Sequence, residues 1–66
     1  MRIIVNGREV DWSTTDISYS QVAAVAGCRV NKVSYSGKKG DGTLIMGESI
    51  GVYDGMIFNA GDTSRA

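Results

Sequence analysis

The chain opens with two short segments in which apolar and polar residues alternate. Ile3 and Val5 share one face of the first segment, and Val10 and Trp12 share one face of the second. Alternation of this kind is typical of strands with one buried face. Between the segments lies Asn6-Gly7, which favours a type I′ turn because both residues tolerate a positive φ. The pattern therefore predicts an N-terminal β-hairpin.

A helical spacing of apolar residues follows a polar link. It predicts one helix over Tyr19–Ala26. Ser18 and Gln21 have the spacing of a capping box, and Gly27 is a natural residue to end the helix. A rival capping box lies at residues 13–16, but the apolar spacing starts only after Ser18. We therefore expect the helix to begin directly after Ser18.

Short apolar pieces fill the second half of the chain. Alternation around Val33 and Tyr35 predicts a strand that ends at the glycine-rich loop Gly37–Gly42. Three further apolar pieces follow, at Leu44–Met46, Ile50–Val52 and Met56–Ala60. In the last piece Met56 and Phe58 compete with Ile57 for the buried side, so the pattern leaves its core face open.

The predicted order is strand, strand, helix, strand, and then two or three short strands. A single helix buries its apolar stripe against one face of a sheet. We therefore expect an α+β fold in which a mixed sheet of four to five strands wraps round one helix. The first and last strands would be central and parallel. The folded domain is expected over residues 1–60, and a flexible C-terminal tail over residues 61–66.

Composition narrows the class of protein. The 66 residues include seven basic and seven acidic side chains, which cancel, so the basic surface typical of nucleic-acid binders is not expected. Ile3–Val5 is too short for the core of a signal peptide, and no apolar run is long enough to span a membrane. The lone Cys28 cannot form an internal disulfide. We expect a cytoplasmic monomer that contacts neither nucleic acid nor membrane.

Candidate catalytic chemistry is sparse. The chain has no histidine to activate Cys28, which we interpret as a structural thiol. The glycine-rich loop lacks the Gly-Lys-Ser/Thr ending of a phosphate-binding P-loop, so we expect a strand connector there. The carboxylates that could pair for acid–base work are scattered among turns, at Asp11, Asp16, Glu48 and Asp54. We expect no enzyme, no cofactor and no metal site.

Three stretches resemble the bacterial multiubiquitin-type family, and the most distinctive is Asp-Gly-Met-Ile-Phe-Asn. They lie at Asp16–Ala23, Gly42–Ile50 and Asp54–Asn59. The resemblance implies a β-grasp, or ubiquitin-like, fold and a bacterial protein modifier that is attached to target proteins within an antiphage system. Its implied partners are an activating enzyme that uses ATP, a conjugating enzyme and a processing metallopeptidase.

The resemblance makes the C-terminal tail the candidate site. It consists of Gly61, Asp62, Thr63, Ser64, Arg65 and Ala66. No Gly-Gly end is present, which argues against a sulfur carrier and leaves open whether Ala66 reacts or trimming exposes another carboxylate. The alternative is a non-covalent β-grasp interaction module whose C-terminus is an inert, frayed end.

Overall fold

The computed structural model of the chain describes residues 1–27 and 29–61. Within them the elements, in chain order, are β1 (Arg2–Val5), β2 (Arg8–Asp11), β3 (Asp16–Ser18), α1 (Tyr19–Ala26), β4 (Lys32–Ser36), β5 (Gly42–Leu44), β6 (Ser49–Gly51) and β7 (Ile57–Gly61). Five strands form one sheet in the order β2-β1-β7-β4-β5, and β3 pairs with β6 separately.

The main sheet is mixed, and α1 packs against one face of it. β1 and β7 are adjacent and parallel, whereas the other neighbours in the sheet are antiparallel. The predicted β-grasp fold is confirmed, including the central, parallel pair of first and last strands. This arrangement places the last strand between β1 and β4, so β7 is supported on both sides.

The N-terminal hairpin is confirmed. Val5 pairs with Arg8 across a turn in which φ is 53° at Asn6 and 81° at Gly7. Both values are in the left-handed region that a type I′ turn requires. Among the described residues, Asn6 is the one non-glycine residue with a positive φ.

The helix bounds and caps are also confirmed. The Ser18 hydroxyl accepts a hydrogen bond from the N–H of Gln21 at 3.1 Å, and the Gln21 side chain accepts from the N–H of Ser18 at 2.9 Å. Gly27 ends the helix with φ 69° and donates its N–H to the Ala23 carbonyl. The reciprocal capping box thus forms at Ser18 and not at the rival position.

The segment before the helix contains a strand that the sequence pattern did not predict, at Asp16–Ser18. It pairs antiparallel with β6, with Ile17 opposite Ile50. The N–H of Tyr19 extends this contact by donating to the Glu48 carbonyl at 3.0 Å. A strand of three residues has too short a pattern to be recognised when its partner lies far along the chain.

The predicted strand at Leu44–Met46 is shifted. β5 ends at Leu44, and the two residues after it are exposed, Ile45 by 59% and Met46 by 78%. A turn follows at once, since the N–H of Ile45 donates to the Glu48 carboxylate and the N–H of Glu48 donates to the Ile45 carbonyl. This turn removes both side chains from the core.

The core lies between α1 and the sheet, and the last strand contributes its largest side chain. Phe58 is fully buried and Met56 nearly so, whereas Ile57 is 38% exposed on the other face. Met56 and Phe58, and not Ile57, therefore form the core face of the last strand. The other buried apolar residues are Ile3, Val5, Ile17, Tyr19, Val22, Val33, Leu44 and Val52.

Candidate functional site

The carboxyl end of β7 is paired with β4 up to its last residue. Ala60 lies opposite Val33, and Gly61 lies opposite Lys32. The N–H of Asn31 donates to the carbonyl of Gly61 at 2.8 Å. Gly61 is half-buried. The chain is therefore held in the sheet as far as Gly61.

The opposite side of β7 is held first by the backbone of β1 and then by a side chain. The N–H groups of Ile4 and Asn6 donate to the carbonyls of Met56 and Phe58, each at 2.9 Å. After Asn6 the backbone that follows β1 turns away from β7. The Asn6 carboxamide then takes over, since Oδ1 accepts from the N–H of Ala60 at 2.8 Å and Nδ2 donates to the Ala60 carbonyl at 3.0 Å.

The first residue of the predicted tail, Gly61, is part of the sheet. Gly61 is the last residue of β7. The other residues of that prediction, Asp62, Thr63, Ser64, Arg65 and Ala66, lie outside the described residues. Sequence reasoning identified Asn6 as a turn residue and missed its place at this site. The available signal was that asparagine, unlike glycine, carries a donor and an acceptor.

An exposed apolar pair lies at the same end of the sheet. β5 runs parallel to β7, because both pair antiparallel with β4. Leu44 and Ala60 both lie opposite Val33, so the strands end at the same level. Ile45 and Met46 directly follow Leu44 and project into solvent.

Two shallow pockets share Lys32, which lies opposite Gly61 in the sheet. One has a volume of about 200 Å³ and is bounded on its apolar side by Leu44, Ile45 and Met46. The other has a volume of about 300 Å³ and includes Asn6 and Gly61 in its lining. The second pocket therefore reaches the end of β7, whereas the first lies beside β4 and β5.

The face of the main sheet that points away from α1 has an apolar centre. Ile4 lies opposite Ile57, with Glu9 and Ser36 next to them in the same row across the sheet. Ile57 is exposed and Ile4 is half-buried. Near this row, Arg2 and Glu9 form an exposed ion pair at 3.4 Å. This surface is a second place where a protein could bind.

A larger cavity, of about 370 Å³, lies at the opposite end of β4. The loop at its edge packs on Tyr53, whose hydroxyl accepts a hydrogen bond from the N–H of Lys39 at 3.3 Å. The ammonium groups of Lys38 and Lys39 lie 5.5 and 5.6 Å from the centre of the same ring. A Cβ at Gly37 would lie 1.9 Å from the Tyr53 hydroxyl, so this glycine allows the close approach.

The described residues contain no group of three or more His, Cys, Asp or Glu side chains that could hold a metal ion. In the same residues every buried side-chain nitrogen or oxygen has a hydrogen-bond partner. The helix of the described region is too short to cross a membrane.

Comparison with protein families gave a match over nearly the whole chain. The model of a family described as Multiubiquitin matches residues 1–64. The matched region contains all the elements described above and the Asp54–Asn59 sequence. Comparisons with curated proteins and with solved structures gave no match.

Proposed function

Because this chain belongs to the Multiubiquitin family and has a ubiquitin-like β-grasp domain, we propose that it is a ubiquitin-like protein modifier. Its C-terminal carboxylate is activated, after peptidase trimming if another residue is the mature end, and is then joined to target proteins. The domain has no catalytic activity of its own. It supplies a reachable carboxylate and surfaces that enzymes recognise.

The observation that carries this proposal is the support of β7 on both sides as far as Ala60, and on the β4 side as far as Gly61. Five residues follow Gly61 in the sequence. Five residues in an extended conformation span about 17 Å. An enzyme can therefore take the terminal carboxylate into a deep active site while the domain remains folded outside it.

The chemistry requires an activating enzyme that uses ATP. A carboxylate is a poor acylating agent, so one of its oxygens first attacks the α-phosphorus of MgATP, and pyrophosphate leaves. A cysteine or serine of the enzyme then attacks the acyl adenylate, and AMP leaves. After transfer to a conjugating enzyme, an amine of the target attacks the acyl group. The enzyme nucleophile leaves, and an amide forms.

Ile45 and Met46 extend the proposal to enzyme recognition. Both lie at the end of the sheet where β7 finishes, and both are exposed. An enzyme that holds the terminus approaches this end of the domain and would bury these two side chains. Burial of exposed apolar side chains is a common source of binding energy at interfaces.

The family resemblance provides the rest of the setting. We assign the modifier to the bacterial cytoplasm and to an antiphage system. Its partners there are the activating enzyme, a conjugating enzyme and a metallopeptidase that trims the terminus.

A second candidate function is a non-covalent interaction module with an inert C-terminus. The exposed row with Ile4 and Ile57 at its centre favours it, because an apolar centre within a polar surface suits protein binding. Under this function, deletion of residues 62–66 would leave partner binding unchanged.

Mass spectrometry tests the modifier function directly. The protein is expressed with its natural neighbouring genes, and the cell extract is digested with a protease that cleaves before aspartate. A modified lysine then retains a branch that begins at Asp62. The mass of that branch identifies the mature terminal residue. Trypsin is unsuitable, because cleavage after Arg65 would shorten the branch.

The control is the same strain with residues 62–66 deleted from the modifier. Conjugates in the wild-type strain and none in the control support the modifier. Branches in neither strain, although the enzymes are active on their own substrates, would favour the interaction module. Conjugates in both strains would show that the C-terminal segment is not the reactive end.

A further inference from the structure

We propose that Asn6 is a positioning residue for the C-terminus. Its carboxamide holds Ala60 in the sheet, so that a peptidase or activating enzyme can process the chain only as far as Gly61 unless β7 unfolds. The biological role of this contact rests on the proposed modifier function. The contacts that carry it are independent of that function.

The first step is the geometry of the parallel β1–β7 ladder. Ile4 and Asn6 donate their N–H groups to successive carbonyls of β7, two residues apart. The next contact in this ladder would be with Ala60. Because the chain turns at Asn6-Gly7, the backbone of β1 does not reach that position.

The second step is that the Asn6 side chain replaces the missing peptide group. Its Oδ1 and Nδ2 lie 2.8 and 3.0 Å from the N and O atoms of Ala60. The N–H and C=O of one strand residue point to the same side, and those of the next residue point to the other side. Gly61 accordingly bonds to Asn31 on the β4 side. Without Asn6, Ala60 would have no strand partner on its β1 side.

The third step is the choice of residue. Glycine, aspartate and asparagine all suit this position of a type I′ turn. Glycine offers no side-chain contact, and ionised aspartate offers only acceptors. Asparagine alone among them satisfies both polar groups of Ala60. The turn by itself does not demand asparagine, whereas the contact with the last strand does.

The consequence is that β7 stays paired as far as Gly61. An enzyme binds a chain end in an extended form and must free its backbone groups first. Asn6 is solvent-exposed, so each of its bonds has the modest strength of an exposed hydrogen bond. Loss of both should raise the local opening equilibrium of Ala60 by about tenfold.

The first test is amide hydrogen exchange measured by NMR in the full chain. Asn6→Gly keeps the turn and removes both bonds, and Asn6→Asp keeps only an acceptor. We expect exchange at Ala60, relative to Val33, to rise about tenfold in Asn6→Gly and by a smaller factor in Asn6→Asp. An unchanged ratio in Asn6→Gly would overturn the proposal.

Ser18→Ala is the matched control, because it removes a helix-cap hydrogen bond that involves no residue of β7 and destabilises the whole domain. Global destabilisation speeds exchange at Ala60 and Val33 together, so their ratio should not change. A raised ratio of exchange at Ala60 to exchange at Val33 in Ser18→Ala would mean that exchange at the end of β7 responds to any loss of stability of the domain. The special role of Asn6 would then be lost.

The second test is trimming with a carboxypeptidase, followed by mass measurement. We expect the wild type and Ser18→Ala to stop at Gly61, and Asn6→Gly to lose Gly61 and Ala60 as well. A peptide of residues 56–66 controls for the preference of the enzyme and should be trimmed past Gly61. The same end point in all three proteins would contradict the proposal.

These outcomes are separate from the fate of the modifier function. If the wild-type protein forms no conjugates but Asn6→Gly shifts the trimming limit, the modifier function is wrong and the positioning role of Asn6 remains. If conjugates form and Asn6→Gly shifts neither exchange nor trimming, the modifier function remains and the role of Asn6 is wrong.

Discussion

The N–H of Arg2 donates a hydrogen bond to Oδ1 of Asp54 at 2.7 Å, across 52 positions of the chain. The N–H of Gly55 returns to the Arg2 carbonyl at the same distance. These bonds join the start of β1 to the turn before β7. The Asp-Gly pair that begins the most distinctive sequence of the family resemblance therefore sets the register of the central parallel strands.

Asp54→Ala should lower the free energy of unfolding by about 1 kcal/mol, because the Arg2 N–H loses its acceptor. Urea denaturation followed by circular dichroism measures the loss. Asp41→Ala is a suitable control, since it removes an exposed loop carboxylate and should change stability by less than about 0.5 kcal/mol. Equal losses in the two variants would contradict a specific role for Asp54.

Phe58→Ala should leave the domain largely unfolded. Truncation of a buried phenylalanine costs about 3 to 5 kcal/mol, and a domain of this length has a total stability of only about 3 to 10 kcal/mol. The neighbouring Asn59 is exposed, so Asn59→Ala should change stability by less than about 0.5 kcal/mol. Dispersion of the amide NMR signals distinguishes the two variants. A well-dispersed spectrum of Phe58→Ala would refute the assigned core.

Gly42→Ala should be destabilising by about 1 to 3 kcal/mol. A Cβ at Gly42 would lie 2.4 Å from the hydroxyl of Tyr35, its cross-strand partner, whose ring also lies 6.3 Å from that of Phe58. Gly61→Ala is the matched control, because a Cβ there meets nothing within 4 Å. Thermal denaturation compares the pair. Similar melting temperatures would show that the Tyr35 ring moves aside at little cost.

Replacement of Ile45 and Met46 together by serine should leave stability within about 0.5 kcal/mol, because both side chains are exposed. Under the modifier function, the KM of the activating enzyme for this protein should rise while kcat changes little. Ile57→Thr alters an exposed apolar residue on the other surface and should leave that KM unchanged. Initial rates of pyrophosphate release measure both. A raised KM for Ile57→Thr and an unchanged KM for the serine variant would indicate that the enzyme binds the sheet face that points away from α1.

Local features of this fold could be predicted from the sequence, because their causes lie within a few residues. The turn at Asn6-Gly7 depends on the φ angles that those two residues tolerate. The helix start depends on hydrogen bonds between Ser18 and Gln21, and its end depends on the positive φ of Gly27. The sequence placed Gly61 in the tail because the apolar pattern of the last strand ends at Ala60, whereas the structure includes Gly61 in β7.

The tertiary structure decided what depends on distant partners. The alternation Met56-Ile57-Phe58 is compatible with either face being buried, and only packing against α1 turns Phe58 inward. Asp16–Ser18 becomes a strand only because β6 lies beside it. The bonds between Asn6 and Ala60 join residues 54 positions apart. This contact cannot be predicted from local sequence, since the Asn6 carboxamide and the Ala60 backbone meet only when β1 and β7 have paired in register.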